Sequence, residues 1–152
     1  MKSLDQWTKL TEYLTQYESA SGYVHFNAVV IQDGKISVSS VPNVRKKSED
    51  ILGNKTVEML FMVHMIKAYD TEMSYTNTEA MEDALKYMQW FETQEEDKNY
   101  PDFGNNIKPD KLEVLSNVPT IMIDSENNLA QYQFQVRYTY IEEVIEEVIE
   151  EV

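Results

Sequence analysis

The feature that most constrains this chain is an unbroken alternation near its C-terminal end. In LAQYQFQVRYTY, residues 129–140, Ala130, Tyr132, Phe134, Val136, Tyr138 and Tyr140 fall on one side. Gln131, Gln133, Gln135, Arg137 and Thr139 fall on the other. Period two is the mark of a β-strand with one face in a core. A slip of one residue would turn every tyrosine to solvent, so the register is strongly specified. The rest of the chain has to supply a sheet that holds this strand.

Several segments qualify as its partners. YVHFNAVVI, residues 23–31, is β-branched and aromatic and predicts a strand. Asp33-Gly34 is a two-residue hairpin signal, and KISVSSV, residues 35–41, returns from it with Ile36 and Val38 on one face. Pro42 ends that strand, because proline has no N–H for a ladder. Residues 43–56 are polar and mixed in charge, with a turn at Gly53-Asn54, and predict a protruding β-hairpin or a long loop. VEMLFMVHMI, residues 57–66, is apolar on both faces. Such a strand lies central in a sheet, or has its second face covered by another subunit. Its three methionines, Met59, Met62 and Met65, suit adaptable packing. KLEVLSNV, residues 111–118, predicts a short strand, and residues 124–128 a turn.

Two helices are expected. Over residues 3–18, Ser3 and Gln6 form a capping box, and Leu4, Trp7, Leu10, Leu14 and Tyr17 recur at helical spacing. Thr76-Asn77-Thr78-Glu79 is a second capping box, opening a helix over 78–96 with Met81, Ala84, Leu85, Met88 and Phe91 as its buried stripe. EEDKNYPDFGNN then forms a polar loop containing Pro101 and Gly104. The chain closes on IEEVIEEVIEEV, in which Ile141, Val144, Ile145, Val148, Ile149 and Val152 share one helical stripe. Twelve residues are marginal as an isolated helix, so this segment is either an amphipathic helix that needs a partner surface or a frayed acidic tail. The expected architecture is α+β, in the order α-β-β-β-β-α-β-β. Two helices pack on a mostly antiparallel sheet, with one domain over 1–140 and an acidic tail over 141–152.

Composition narrows the function classes. A chain of 152 residues favours one domain. With no cysteine, disulfides, thiolate metal sites and thiol catalysis are excluded. No apolar run reaches the ~18 residues of a membrane span, and MKSLDQWTKL has no apolar signal core, so synthesis in a cytoplasm is expected. The net charge of −14 argues against binding duplex DNA through its phosphates. Six of the 27 acids lie in the last twelve positions, and setting them aside still leaves −8, so the acidity is not only a tail effect. It serves solubility, or it repels or imitates DNA.

No residue set nominates itself for catalysis. His25 and His64 are the only histidines, each within a predicted strand and without another histidine nearby. No H-E-x-x-H, P-loop, G-x-G-x-x-G or G-x-S-x-G motif is present. DSENNL, residues 124–129, resembles the start of an EF-hand loop but has Leu129 where the loop needs glycine and Gln135 where it needs glutamate. Neither a cofactor nor a metal is expected. Arg45-Lys46-Lys47 is the one dense basic cluster, either a solvated hairpin flank or a contact for an acidic partner.

From residue 57 to 140 the order of elements resembles the phage minor capsid or tail-terminator (head–tail joining) family. In that family an apolar strand precedes a variable polar segment, a helix, a loop with proline, a strand ending in E-V-L-S, and a turn. A final strand alternates glutamine with apolar residues. Here those elements read VEMLFMVHMI, TNTEAMEDALKYMQWFE, YPDFG, KLEVLS and LAQYQFQVRYTY. The first third fits more loosely, and the tail over 141–152 departs from the family, whose members stop soon after the last strand. The resemblance implies a structural virion protein without a catalytic step. It forms a homo-oligomeric ring, typically a hexamer, that caps the tail tube and joins it to the head–tail connector protein. DNA only passes through the lumen, and no membrane is involved.

A closed ring needs two different patches per subunit. The second face of VEMLFMVHMI, with Leu60 and Met62, is a candidate for one patch. Arg45, Lys46 and Lys47 in the 43–56 segment, or Ile141, Val144, Ile145, Val148 and Ile149 in the tail, are candidates for the other. Two rival classes remain open: an acidic inhibitor or DNA mimic that occupies a basic enzyme, and a small enzyme that works with carboxylates alone.

Overall fold

The computed structural model describes residues 3–17, 24–27, 32–41, 46–70, 72 and 74–144. Two helices pack on one face of a seven-stranded sheet. The sheet is organised around two 14-residue strands, β4 (Lys55–Ala68) and β7 (Leu129–Glu142). They pair antiparallel over their full length, from Lys55 opposite Glu142 to Ala68 opposite Leu129. On the outer edge of β4 sit β2 (Ile36–Ser40) and β3 (Lys46–Glu49). The outer edge of β7 carries β5 (Ile107–Val114) and β6 (Thr120–Asp124). β1 (His25–Phe26) completes the sheet beside β2.

The α+β order read from the sequence holds, with two local differences. β1 runs parallel to β2, His25 opposite Ser37, so these two strands are not the arms of a hairpin turning at Asp33-Gly34. The turn exists, with Gly34 at φ +83 and the Lys35 N–H donating to the Gln32 carbonyl, and it is anchored to β4. The Gly34 N–H donates to the Ile66 carbonyl, and Asp33 Oδ1 accepts from the Ala68 N–H. β1 ends at Asn27, whose φ of 50 breaks the extended conformation, and residues 28–31 lie outside the described residues. β6 is an additional strand, the second arm of a hairpin with β7.

Alternation in β4 and β7 builds the core. Val57, Met59, Phe61, Val63 and Met65 of β4, with the six even-numbered residues of β7 from Ala130 to Tyr140, are buried under the helices. α2 (Ser74–Asp97) lays Ala80, Ala84, Tyr87, Met88 and Phe91 on that surface. Phe91 meets Phe61 and Phe134 at ring distances of 6.2 and 5.8 Å. The first pair is tilted and the second edge-to-face, and aromatic pairs add about 0.5–1.5 kcal/mol each beyond area burial. Leu85, expected in the stripe, is 37% exposed, and Tyr87 takes the central place instead. The other four residues of the expected stripe hold, with Ala84, Met88 and Phe91 buried and Met81 packed against the core.

α2 begins four residues before the predicted start, so the Thr76 box does not cap it. Asn77 works as a clamp: its side chain accepts from the Asp70 N–H at 3.1 Å and donates to the Asp70 carbonyl at 2.8 Å. α1 (Ser3–Leu14) packs on α2 and β1. Trp7 stacks on Phe26, Tyr17 stacks on Tyr87, and the Tyr87 hydroxyl donates to the Leu14 carbonyl. The loop after α2 is polar in composition but buries Phe103 edge-on against Tyr138 and Tyr140. The Tyr138 hydroxyl donates to the Pro101 carbonyl, which pins that loop to β7.

Candidate assembly surface

The residues that alternate with the core residues face away from both helices. Across β4 and β7 the pairs are Glu58 with Thr139, Leu60 with Arg137, Met62 with Gln135, His64 with Gln133 and Ile66 with Gln131. Ser37 and Ser39 extend this face on β2, and Lys111 and Glu113 extend it on β5. Among the described residues neither helix covers it. β4 is central because it pairs with β2 and β3 on one edge and β7 on the other, and on the sheet's second face Ser37, His64, Ile66 and Thr139 are buried without a described helix above them. Leu60, Met62 and Ile141 lie half-buried on it.

A row of polar side chains crosses this face. Gln131 Nε2 donates to His64 Nδ1 at 2.8 Å and to Gln133 Oε1 at 3.0 Å. With Nδ1 an acceptor, the His64 proton sits on Nε2, 2.8 Å from Ser39 Oγ. His64 thus donates to the serine, the reverse of what activates a nucleophile. Burial lowers the His64 pKa from its ordinary value, partly offset by a hydrogen bond to Gln133. Further along, Arg137 Nη2 and Lys111 Nζ grip Glu113 at 3.2 and 3.0 Å. Burial raises the Glu113 pKa, but the two cations outweigh it and hold the carboxyl below its usual range.

At one end of the β4–β7 ribbon the β3–β4 hairpin carries an apolar tip. One carboxylate locks its turn: Asp50 Oδ1 accepts from the Leu52 and Asn54 N–H groups, each at 2.9 Å, and Oδ2 accepts from Asn54 Nδ2 at 3.1 Å. Gly53 supplies the left-handed residue at φ +89. Desolvation is the largest single influence on the Asp50 pKa and raises it, but the bonds together outweigh it and hold the carboxyl below its usual value. The turn displays Ile51 fully exposed and Leu52 76% exposed. At the ribbon's other end β6 carries exposed Ile121, Met122 and Ile123.

The sequence candidates distribute as follows. Leu60 and Met62 come together on the open face. Lys46 and Lys47 belong to β3 of the hairpin, while Arg45 lies outside the described residues. Ile141 belongs to β7, which runs on to Glu142, so residues 141 and 142 are strand and not the start of a tail helix. Backbone hydrogen bonds to β4 and β5 capture them before the chain can coil. Val144 is tied to the hairpin turn: its N–H donates to Asn54 Oδ1 at 2.9 Å, and its Cγ2 lies 3.0 Å from where a Gly53 Cβ would stand. Ile145, Val148 and Ile149 lie outside the described residues. Sequence reading missed Ile51, Leu52 and β6. The signals were an apolar pair inside a polar turn, and a short apolar run on the near side of the 124–128 turn.

No protein-family model matches this chain, and no curated protein matches it in sequence. No helix among the described residues is long and apolar enough to cross a membrane.

Proposed function

We propose that this protein is a structural virion subunit of the tail-terminator (head–tail joining) type. Copies assemble into a ring that caps the tail tube and meets the head–tail connector. The observation that carries this reading is the asymmetric sheet. Helices and an aromatic core occupy one face, while the other carries half-buried Leu60, Met62 and Ile141 and, among the described residues, no helix. A sheet face of this kind is a ready surface for a neighbouring subunit. Element order from β4 to β7 supports the same reading. The net charge of −14 suits a lumen through which DNA passes without sticking. Replacing lumen-facing acids with lysine is expected to slow DNA ejection; an unchanged ejection rate counts against an acidic lumen.

The test is assembly. Purified protein is measured by light scattering and imaged by negative-stain electron microscopy, alone and with isolated tail tubes. Rings, free or seated on tube ends, are expected. A protein of monomer mass, 17.8 kDa, that leaves tube ends bare would overturn the reading. The high acidity favours a second reading, an inhibitor or DNA mimic of a basic enzyme, and salt-sensitive binding to a nuclease would identify it.

A further inference from the structure

The outermost strands of a sheet carry unpaired backbone groups, and an edge left exposed, regular and apolar is a template for another strand. Among the described residues the outer strands are β1, β3, β5 and β6, and the first three are blunted. β1 is two residues long. β3 carries Lys46 and Lys47 and a break in register between Lys46 and Ser48. β5 contains Pro109 and a register break before Lys111. Two of its backbone groups are also taken: Glu95 of α2 accepts from the Leu112 N–H at 2.8 Å, and the Tyr100 hydroxyl donates to the Asp110 carbonyl at 3.4 Å.

β6 has none of these devices. It contains no lysine or proline and pairs with β7 in unbroken register from Thr120 to Asp124. Among the described residues it has no second partner strand. Ile121, Met122 and Ile123 are 40%, 51% and 55% exposed. Met122 and Ile123 also line a shallow apolar groove with Ile66 and Leu129.

Charge decides what can lie along this edge. A chain of net charge −14 repels its own copies, so they can meet only where charge is sparse. Residues 114–136 hold two charged residues, Asp124 and Glu126, in a chain that is 26% charged. This stretch therefore offers little to a strongly charged partner and little hindrance to a second copy. The strand is also its own complement when run antiparallel about Met122. Ile121 then lies opposite Ile123 of the second copy, Met122 opposite Met122, and Asp124 opposite Thr120. Glu126 lies across from Val118, inside the uncharged LSNVPT of residues 115–120. Parallel pairing would instead set Asp124 beside Asp124. Asp33, bonded to the Ala68 N–H on β4, stands two ladders in from the edge.

We infer that β6 is a dimerisation edge, pairing antiparallel with β6 of a second copy so that one sheet runs through both subunits across a two-fold axis at Met122. The added strand satisfies the edge hydrogen bonds, and the second Met122 extends the row formed by Ile66, Gln131 and Met122. Such a contact is isologous, the same patch on both copies. It goes beyond the ring reading, because a ring closes through two unlike patches and does not need it.

The chain has no cysteine, so a single introduced thiol reports the axis. Residues directly opposed in an antiparallel pair have Cα atoms about 4.5–5.5 Å apart, within disulfide reach. Mild oxidation of Met122→Cys is expected to give a covalent dimer and no larger species. In Thr120→Cys the two thiols stand about 13 Å apart along the strands, and monomer is expected. Ile123→Lys is expected to bring the light-scattering mass from twice 17.8 kDa to 17.8 kDa with an unchanged melting curve, since the side chain is exposed in the subunit. Adding Ile121→Glu to that variant puts opposite charges across the axis and is expected to restore the dimer, which parallel pairing could not do. A wild-type mass of 17.8 kDa up to the solubility limit, Thr120→Cys linking as fast as Met122→Cys, or a dimer that survives Ile123→Lys would each overturn the β6 pairing. Rings on tube ends in any of those cases would leave the ring reading standing.

Discussion

The two faces of the β4–β7 ribbon are built from the same two strands, yet different forces hold them. The helix-side face is aromatic and dry: Phe61, Phe134, Tyr138 and Tyr140 are almost wholly buried among Tyr87, Phe91 and Phe103. The open face is a lattice of side-chain hydrogen bonds and ion pairs, Ser39 to His64 to Gln131 to Gln133 and Arg137 to Glu113, with Leu60 and Met62 between them. The dry face fixes the fold of the subunit, because burying an aromatic or aliphatic side chain stabilises it by about 1.5–3 kcal/mol. Exchanging water for protein partners on the open face gains far less, so that face is free to be specialised for contact with other molecules.

That contrast can be broken at the core first. Phe134→Ala removes the ring that touches both Tyr87 and Phe91 and is expected to cost about 3–5 kcal/mol, read from urea unfolding. A loss under about 1 kcal/mol would mean that the two faces do not differ in this way. Tyr138→Phe keeps the ring and deletes the 3.0 Å bond to the Pro101 carbonyl. Its expected cost is about 1 kcal/mol, and faster proteolysis in the 98–106 loop should accompany it. On the open face, Met62→Ser should change subunit stability by only about 0.5 kcal/mol while weakening assembly. A destabilisation as large as that of Phe134→Ala would show instead that the chain itself covers this face.

The smallest effect is a pH dependence. Burial lowers the His64 pKa below its ordinary value of 6.5, so as pH falls the unfolded chain takes up the proton first. The stability linked to His64 is complete above about pH 6.5 and is lost as pH drops from there through the folded value. A melting series from about pH 7 to about pH 5 should show this slope in the wild type and lose it in His64→Gln. An identical slope in both proteins would assign the acid sensitivity to other groups.

Much of the core was legible in the residue pattern. Alternation in 129–140 gave β7 its inward and outward faces residue by residue, since a period of two admits only one assignment once the tyrosines must be buried. The doubly apolar run 57–66 pointed to a strand either central in the sheet or covered by another subunit, and pairing on both edges makes it central. The groove was not legible, because it joins Ile66 to Met122 and Leu129 across three strands, and pairing partners are not written in local pattern. Leu85 was misplaced because spacing defines a stripe only to within part of a helical turn, and the aromatic surface beneath chose Tyr87.

By itself the sequence determined the two helices, the two long strands with their faces and the acidic character of the chain. These follow from local backbone preference, from periodicity and from composition. The tertiary structure alone decided that β1 joins β2 in parallel, that residues 141 and 142 extend β7 rather than coil, and that an apolar tip and an apolar groove stand at opposite ends of one ribbon. Those outcomes depend on which distant backbone groups find each other. A ladder bond is gained only between partners brought together by the whole fold, so no local stretch of residues could have specified it.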